Sequence, residues 1–205
     1  MSAISDTRAK FIEAATRHFA EEGFYGASIS GIASDLGFTK QALIHHFGSK
    51  EKLYGEVLQQ ISDRLLSQII QTNSGAGGPQ TQLESLLLSL YEDGIANGQD
   101  SRLVLRELLD NKHRAEQANS WYLKPFLDAL IALARRVPGW ASASDADALA
   151  AVYQIIGAVY FFAISEPTLT RMFGKEEYRR LKKTYPTRLR ALIHACFSNP
   201  PAASG

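Results

Sequence analysis

The sequence predicts an all-α fold, and three observations carry that prediction. Apolar residues recur at i, i+3, i+4, i+7 spacing along most of the chain. No segment alternates with the period of two that a strand requires. Glycine, proline and capping side chains fall between the periodic stretches rather than within most of them. About nine helices are expected.

Taken in order, the first helix spans about Ser5 to Glu22. Phe11, Ala14, Ala15, His18 and Phe19 share one face, and Gly23 is a C-terminal glycine. Phe24 and Tyr25 are expected to plug the small core that follows. Ser28 is a helix N-cap ahead of Ile29, Ile32, Ala33 and Leu36. After a tight turn at Gly37-Phe38, Thr39 caps a second short helix whose Ala42, Leu43 and Phe47 point inward. A fourth helix opens at Ser49 and continues through Leu53, Val57, Ile61, Leu65 and Ile69 to about Gln71. Its opening lacks the Glu or Gln of a full capping box.

Thr72 to Pro79 holds three glycines, Asn, Ser and Pro and reads as a loop. Helices follow at about Gln80 to Asn97, Ser101 to Asn111 and Ala115 to Arg136, the last broken or kinked at Pro125. Next come Ser144 to Ile164, a short turn of helix at Thr168 to Phe173, and Lys175 to Phe197, which Pro186 either kinks or restarts. The domain boundary is expected inside helix 4: residues 1–56 form one domain and 57–205 the other.

Charge is balanced, with 22 Lys and Arg against 21 Asp and Glu and a net charge of +1. Bulk attraction to nucleic acid is therefore excluded, and any basic footprint is local. One exists: residues 37 to 52 hold Lys40, Lys50 and Lys52 against Glu51 alone. The single cysteine, Cys196, excludes an internal disulfide framework and reads as a small buried apolar group. The N-terminal residues lack a secretory apolar core, so a reducing cytoplasm is the expected location. The apolar run Ala148 to Ile164 is interrupted by Gln154 and falls short of the ~20 residues a span needs. It reads as a buried helix, with membrane insertion the minor alternative, and no membrane partner is expected. There is no phosphate-cradling glycine motif, no H-E-x-x-H and no G-x-S-x-G. No enzyme activity, metal or cofactor is expected. His45 and His46 are adjacent on a helix and point to different faces, so they cannot share a metal.

Ser28 to Phe47 is two helices joined by a short turn containing Gly, the form of a helix-turn-helix. In that motif the start of the second helix meets base edges in the major groove. Lys40 and Gln41 have suitable chemistry, since Lys donates to guanine and Gln pairs with adenine. The alternative is an ordinary helical hairpin.

From Phe11 to Leu53, about a fifth of the chain, the residues resemble the DNA-binding domain of the TetR-like (tetracycline-repressor-like) regulators. The matching pieces are Ala14-Ala15, Phe19, Gly23-Phe24-Tyr25, Ser28 to Ala33, Leu36 to Leu43, and His46 through Leu53 in unbroken order. The resemblance implies a regulator that binds double-stranded DNA, with Thr39 and Lys50 on phosphates. Ser28, opening its helix, is a further phosphate candidate, and Lys40, Gln41 and His45 are the base-edge candidates. The family usually carries Tyr where this chain has Ile44, and Ile cannot hydrogen-bond a phosphate. Either His45 compensates or Ile44 touches a thymine methyl.

Asp145 to Ser165 is apolar on nearly every side and must be covered all round. The resemblance implies a homodimer across this helix and the last one, here expected at Ala151, Ile155, Ala158, Phe162, Leu189, Leu192 and Ile193. Paired heads would read a palindrome with half-sites about 34–36 Å apart. The aromatic-rich C-terminal half suggests a pocket for a small, largely apolar or aromatic effector, bordered by Arg106, Trp121, Tyr122, Phe126 and Phe162. The reading is of a ligand-responsive regulator, a repressor released by its effector. The alternative is a helical adaptor or partner-binding protein with a degenerate helix-turn-helix.

Overall fold

A computed structural model describes residues 3–73, 77–109 and 122–201. Those residues form ten α-helices and no strand, one helix more than expected. They are α1 (Ala3–Gly26), α2 (Ile29–Asp35), α3 (Lys40–Phe47), α4 (Lys50–Asn73), α5 (Pro79–Ala96), α6 (Gly98–Leu109), α7 (Lys124–Arg135), α8 (Asp145–Ile164), α9 (Glu166–Phe173) and α10 (Lys175–Ser198). They divide into two compact units. One comprises Met1–Asp63 with Gln99–Leu123, the other Arg64–Gly98 with Lys124–Gly205. The division falls within α4 after Asp63 rather than near Val57, and a later segment returns to the first unit. Local periodicity carries no signal for that return.

In the first unit, α1 breaks where glycine allows it: Gly23 has φ 73°, and one further turn follows. Phe24 then enters the core, 5.1 Å from the Tyr54 ring and 6.2 Å from Phe19. Tyr25 does not join it and stays 70% exposed. Phe11, fully buried, is the wedge of this unit. Its ring lies 5.0 Å from Phe38, 5.5 Å from His46 and 6.2 Å from Phe47. One residue of α1 thereby holds both the turn before α3 and the end of α3.

A polar clasp joins α1 to α2. The two ring nitrogens of His18 lie 2.6 Å from a Glu22 oxygen and 2.8 Å from an Asp35 oxygen. Burial alone would lower the His18 pKa. The hydrogen bonds and charges of Asp35 and Glu22 outweigh it, and the net shift is upward from 6.5.

The second unit is built around α5 and α8. α5 packs on α7, α8 and α10, and α8 also meets α7, α9 and α10. Leu83, Leu86, Leu87 and Leu90 of α5 and Ala148, Val152, Ile155 and Val159 of α8 form the buried stripe. α8 is 20 residues long, and among the described helices it alone is long and apolar enough to cross a membrane by length and composition. Length thus does not separate it from a span, as the sequence suggested. Its role follows from these core contacts. α10 runs through Pro186 without restarting. Just before that proline, the Tyr185 ring stacks 3.7 Å from Phe162 and its hydroxyl donates to the Ala158 carbonyl at 2.8 Å. These contacts hold the segment where the ladder lacks a donor.

Two outcomes are expected. Phe11→Ala leaves a cavity that neighbouring rings cannot fill and lowers stability by about 3–5 kcal/mol, measured by urea unfolding. The His18 clasp carries a raised folded-state pKa, so its contribution is full below pH 6.5 and is lost as pH rises through the folded value. Unfolding of wild type and His18→Ala at pH 6 and pH 9 is expected to show the larger difference at pH 6.

Candidate nucleic-acid interface

α3 divides its residues cleanly. Leu43 and Phe47 are buried, one turn apart, and fasten the helix. Lys40, Gln41 and His45 are exposed and Ile44 is half-buried. Positions 40, 41, 44 and 45 form one continuous stripe on the outward face. His46, by contrast, packs on Phe11.

The backbone brings α3 to this place through paired stops and starts. α2 ends in a Schellman arrangement: the Phe38 N–H donates to the Ala33 carbonyl at 2.9 Å and the Gly37 N–H to the Ser34 carbonyl at 3.0 Å. Gly37 takes φ 73°, which a residue with a side chain rarely adopts. Thr39 then starts α3, its hydroxyl oxygen accepting from the Ala42 N–H at 3.2 Å. Ser28 does the same for α2, accepting from the Gly31 N–H at 2.9 Å. Ser49 opens α4, accepting from the Lys52 N–H at 3.2 Å. Each capping oxygen keeps a hydroxyl hydrogen that can be donated outward. These helix starts also carry partial positive charge, which favours a phosphate.

Lys50 has a local support that sequence pattern did not reveal. Its Nζ lies 4.6 Å from the centroid of the Phe24 ring, the same ring that packs on Tyr54. The quadrupole of that face attracts the ammonium, by about 0.5–1 kcal/mol at an exposed site. Arg8 is engaged elsewhere, over the Phe47 ring and in an ion pair with Glu56. Ser28, Thr39, Lys40, Gln41, Ile44, His45 and Lys50 all lie in the first unit, where α2, α3 and the start of α4 meet.

The residues singled out for an effector pocket are distributed over both units. Arg106 and Tyr122 belong to the first unit, Phe126 and Phe162 to the second, and Trp121 lies outside the described residues. The Arg106 guanidinium donates to the carbonyls of Ala20 and Glu21, at 2.9 and 2.8 Å, at the last helical turn before Gly23. Beside it, the Glu107 carboxylate, only 4% exposed, accepts from the Tyr54 hydroxyl of α4. Phe126 is buried, and Phe162 is stacked against Tyr185.

The dimer candidates differ in how far the single chain covers them. Ala151, Ile155, Phe162, Leu189 and Ile193 are buried within their own unit, and Ala158 is half-buried. Only Leu192 is exposed. Helical periodicity located an apolar stripe but could not tell which stripe the chain covers itself. The outward stripe of α8 is Leu149, Tyr153 and Phe161, with Gly157 between them.

Residues 11–57 match the sequence pattern of the family described as bacterial regulatory proteins, tetR family. The chain is similar to the HTH-type transcriptional repressor KstR2 of Mycobacterium tuberculosis, 28% identical over 89 residues, which is 43% of this chain and 44% of that protein. It is similar to the HTH-type transcriptional regulator UidR of Escherichia coli, 28% identical over 120 residues, covering 52% of this chain and 59% of that one. The matches thus span about half the length of these curated relatives. In fold, the structure is similar to that of the fatty acid degradation regulator FadR from Bacillus halodurans, with a TM-score of 0.72, 16% identity, and coverage of 94% of this chain and 99% of the other. The helix-turn-helix formed by α1 to α3 and the start of α4 thus matches the tetR-family pattern, and the described helices take the fold of a solved TetR-family protein from Mesorhizobium loti, with a TM-score of 0.64 at 19% identity over 97% of this chain and 98% of the other.

Proposed function

We propose that this protein is a transcriptional repressor that binds a palindromic DNA operator as a homodimer and responds to a small-molecule effector. The observation that carries the reading is the outward stripe of α3. Lys40, Gln41 and His45 take no part in the buried core, and their helix is held by Leu43 and Phe47 behind them. Thr39 and Lys50, with Ser28, are the phosphate anchors, and they fix register without reading sequence. Lys40, Gln41 and His45 read base edges, and half-buried Ile44 offers an apolar contact to a thymine methyl.

The homodimer reading rests on apolar surface that the single chain leaves open. Phe161 is 70% exposed and Tyr153 46%, on the outward side of α8, and Leu192 of α10 is 45% exposed. A second copy related by a two-fold axis would cover them. Regulation is supported by the contacts of α6. Two consecutive residues, Arg106 and Glu107, bond α1 and α4 respectively, so a displacement of α6 would be felt by both helices that frame the reading head. The aromatic residues that suggested an apolar effector, Phe126 and Phe162, have their surfaces committed to the core. The working location is the cytoplasm, where the DNA is.

Selection of bound sequences from random duplex DNA tests the reading: enrichment of a palindrome is expected, and an unenriched pool would favour the adaptor. With the selected operator in hand, Lys50→Ala is expected to weaken binding to every sequence and to reduce the salt slope of the dimer by roughly 1.8, one phosphate contact in each half-site. Gln41→Ala is expected to change the preferred base at one position while leaving that slope intact. Phe161→Glu places a charge in the shared surface. Sedimentation is expected to shift toward the 22.6 kDa protomer, with a parallel loss of operator affinity. A wild-type protein that sediments only as the protomer at micromolar concentration would refute the dimer.

A further inference from the structure

His18 ties together the two helices that precede α3. Its Nδ1 lies 2.6 Å from a Glu22 oxygen on α1, and its Nε2 lies 2.8 Å from an Asp35 oxygen at the end of α2. A carboxylate accepts hydrogen bonds and donates none, so a nitrogen at that distance from one carries a proton. Both ring nitrogens meet a carboxylate. The geometry therefore fits the imidazolium, whereas a neutral ring would turn a lone pair toward one of the two anions. The charged groups around the ring are Glu22 on its own helix and Asp35 on α2, and Arg17 also reaches Asp35, at 3.6 Å. With the ring protonated, two cations balance two anions. Without that proton the cluster keeps one negative charge in excess.

The ring also lies along α2. A Cβ at Gly31 would stand 3.6 Å from His18 Cε1 and 3.0 Å from the Ser28 hydroxyl oxygen. Glycine leaves the room in which the imidazolium and the Ser28 hydroxyl flank one turn of α2. At the other end of this helix, Asp35 stands two residues before Gly37 and four before Thr39, which starts α3. Loss of the ring proton has two effects of one sign. It loosens Asp35 from α1 at the end of α2 that leads into α3. It also leaves an uncompensated negative charge in the unit that carries Ser28, Thr39, Lys40 and Lys50, where phosphates are proposed to bind.

We infer that His18 is a positioning residue whose protonated ring is needed for full operator affinity, so that DNA binding weakens as pH rises. This deepens the proposed function and rests on it for the consequence on DNA. Burial, the largest single influence on the ring, lowers its pKa, but the hydrogen bonds and charges of Asp35 and Glu22 together outweigh it and the ring titrates above 6.5. Affinity is therefore full below pH 6.5 and falls as pH rises through the higher folded value.

The test follows the His18 ring by NMR in the DNA-free full chain, and operator affinity from pH 6 to pH 9, for wild type, His18→Gln and Asp35→Asn. In the free wild type the ring is expected to titrate above 6.5, and in Asp35→Asn at lower pH. Wild-type affinity is expected to fall roughly three- to tenfold across the range, the scale of one unit charge lost near a phosphate at a hydrated surface. His18→Gln is expected to bind more weakly at pH 6 and to lose that fall. Asp35→Asn, which keeps the ring, is expected to move the midpoint of the fall to lower pH. His45 and His46 are present in every protein compared, so the difference between profiles belongs to His18. Parallel profiles in wild type and His18→Gln, an unmoved midpoint in Asp35→Asn, or a ring that titrates below 6.5 in the free protein overturns the role of His18. Those results on an enriched operator leave the regulator standing, whereas an unenriched pool in the operator selection removes the regulator and this consequence with it.

Discussion

The outward stripe of α3 depends on one packing constraint. An eight-residue helix is too short to persist in water, because its nucleation cost exceeds what two turns return. α3 exists because Leu43 and Phe47 are buried, with α3 packed on α2 and Phe11 of α1 wedged between α3 and the turn before it. The glycine stops at Gly37 and Gly48 and the hydroxyl starts at Thr39 and Ser49 set its length, but they cannot hold it. Exposure of Lys40, Gln41 and His45 is the other side of that burial. Whatever disturbs Phe11 disturbs the surface proposed to read DNA, without touching a residue on it.

The same unit uses polar groups where apolar ones would give no orientation. Helix ends leave carbonyls without partners. At the end of α1 the Arg106 guanidinium supplies donors to two of them, and positive charge there also opposes the helix dipole. Glu107 adds a directional bond to Tyr54, whose ring sits in the aromatic cluster with Phe19 and Phe24. That cluster carries Lys50 on the far ring. A chain of contacts therefore runs from α6 through Tyr54 and Phe24 to a phosphate-anchor candidate. The apolar members supply cohesion and the polar members supply direction.

In the second unit the balance is reversed. Tyr91, Phe162, Tyr178 and Tyr185 stack on one another, and their packing, not a ligand, accounts for much of the aromatic content of this half. Burial together with the Glu166 carboxylate raises the Tyr178 pKa to about 12, so its hydroxyl stays protonated and donates to that carboxylate. Aromatic richness signals a large area to bury. It does not distinguish a filled core from an open cavity.

By itself, the sequence determined the helical class, most helix boundaries, and the helix-turn-helix. Those features are local: a 3.6-residue period, N-caps at Ser28, Thr39 and Ser144, and glycines after α1, α2 and α3 act within a few residues of the chain. The stripe Lys40, Gln41, Ile44 and His45 was legible for the same reason, since the buried positions of a short helix imply the exposed ones. Tertiary structure decided everything that depends on partners far along the chain. Residues 99–109 return to the first unit, and Arg106 reaches carbonyls more than eighty positions earlier. His18 finds Asp35, and α8 buries Ile155 and Phe162 while leaving Tyr153 and Phe161 outside. α8 is apolar on nearly every side, so its period could not choose the inner face; only the helices packed against it could.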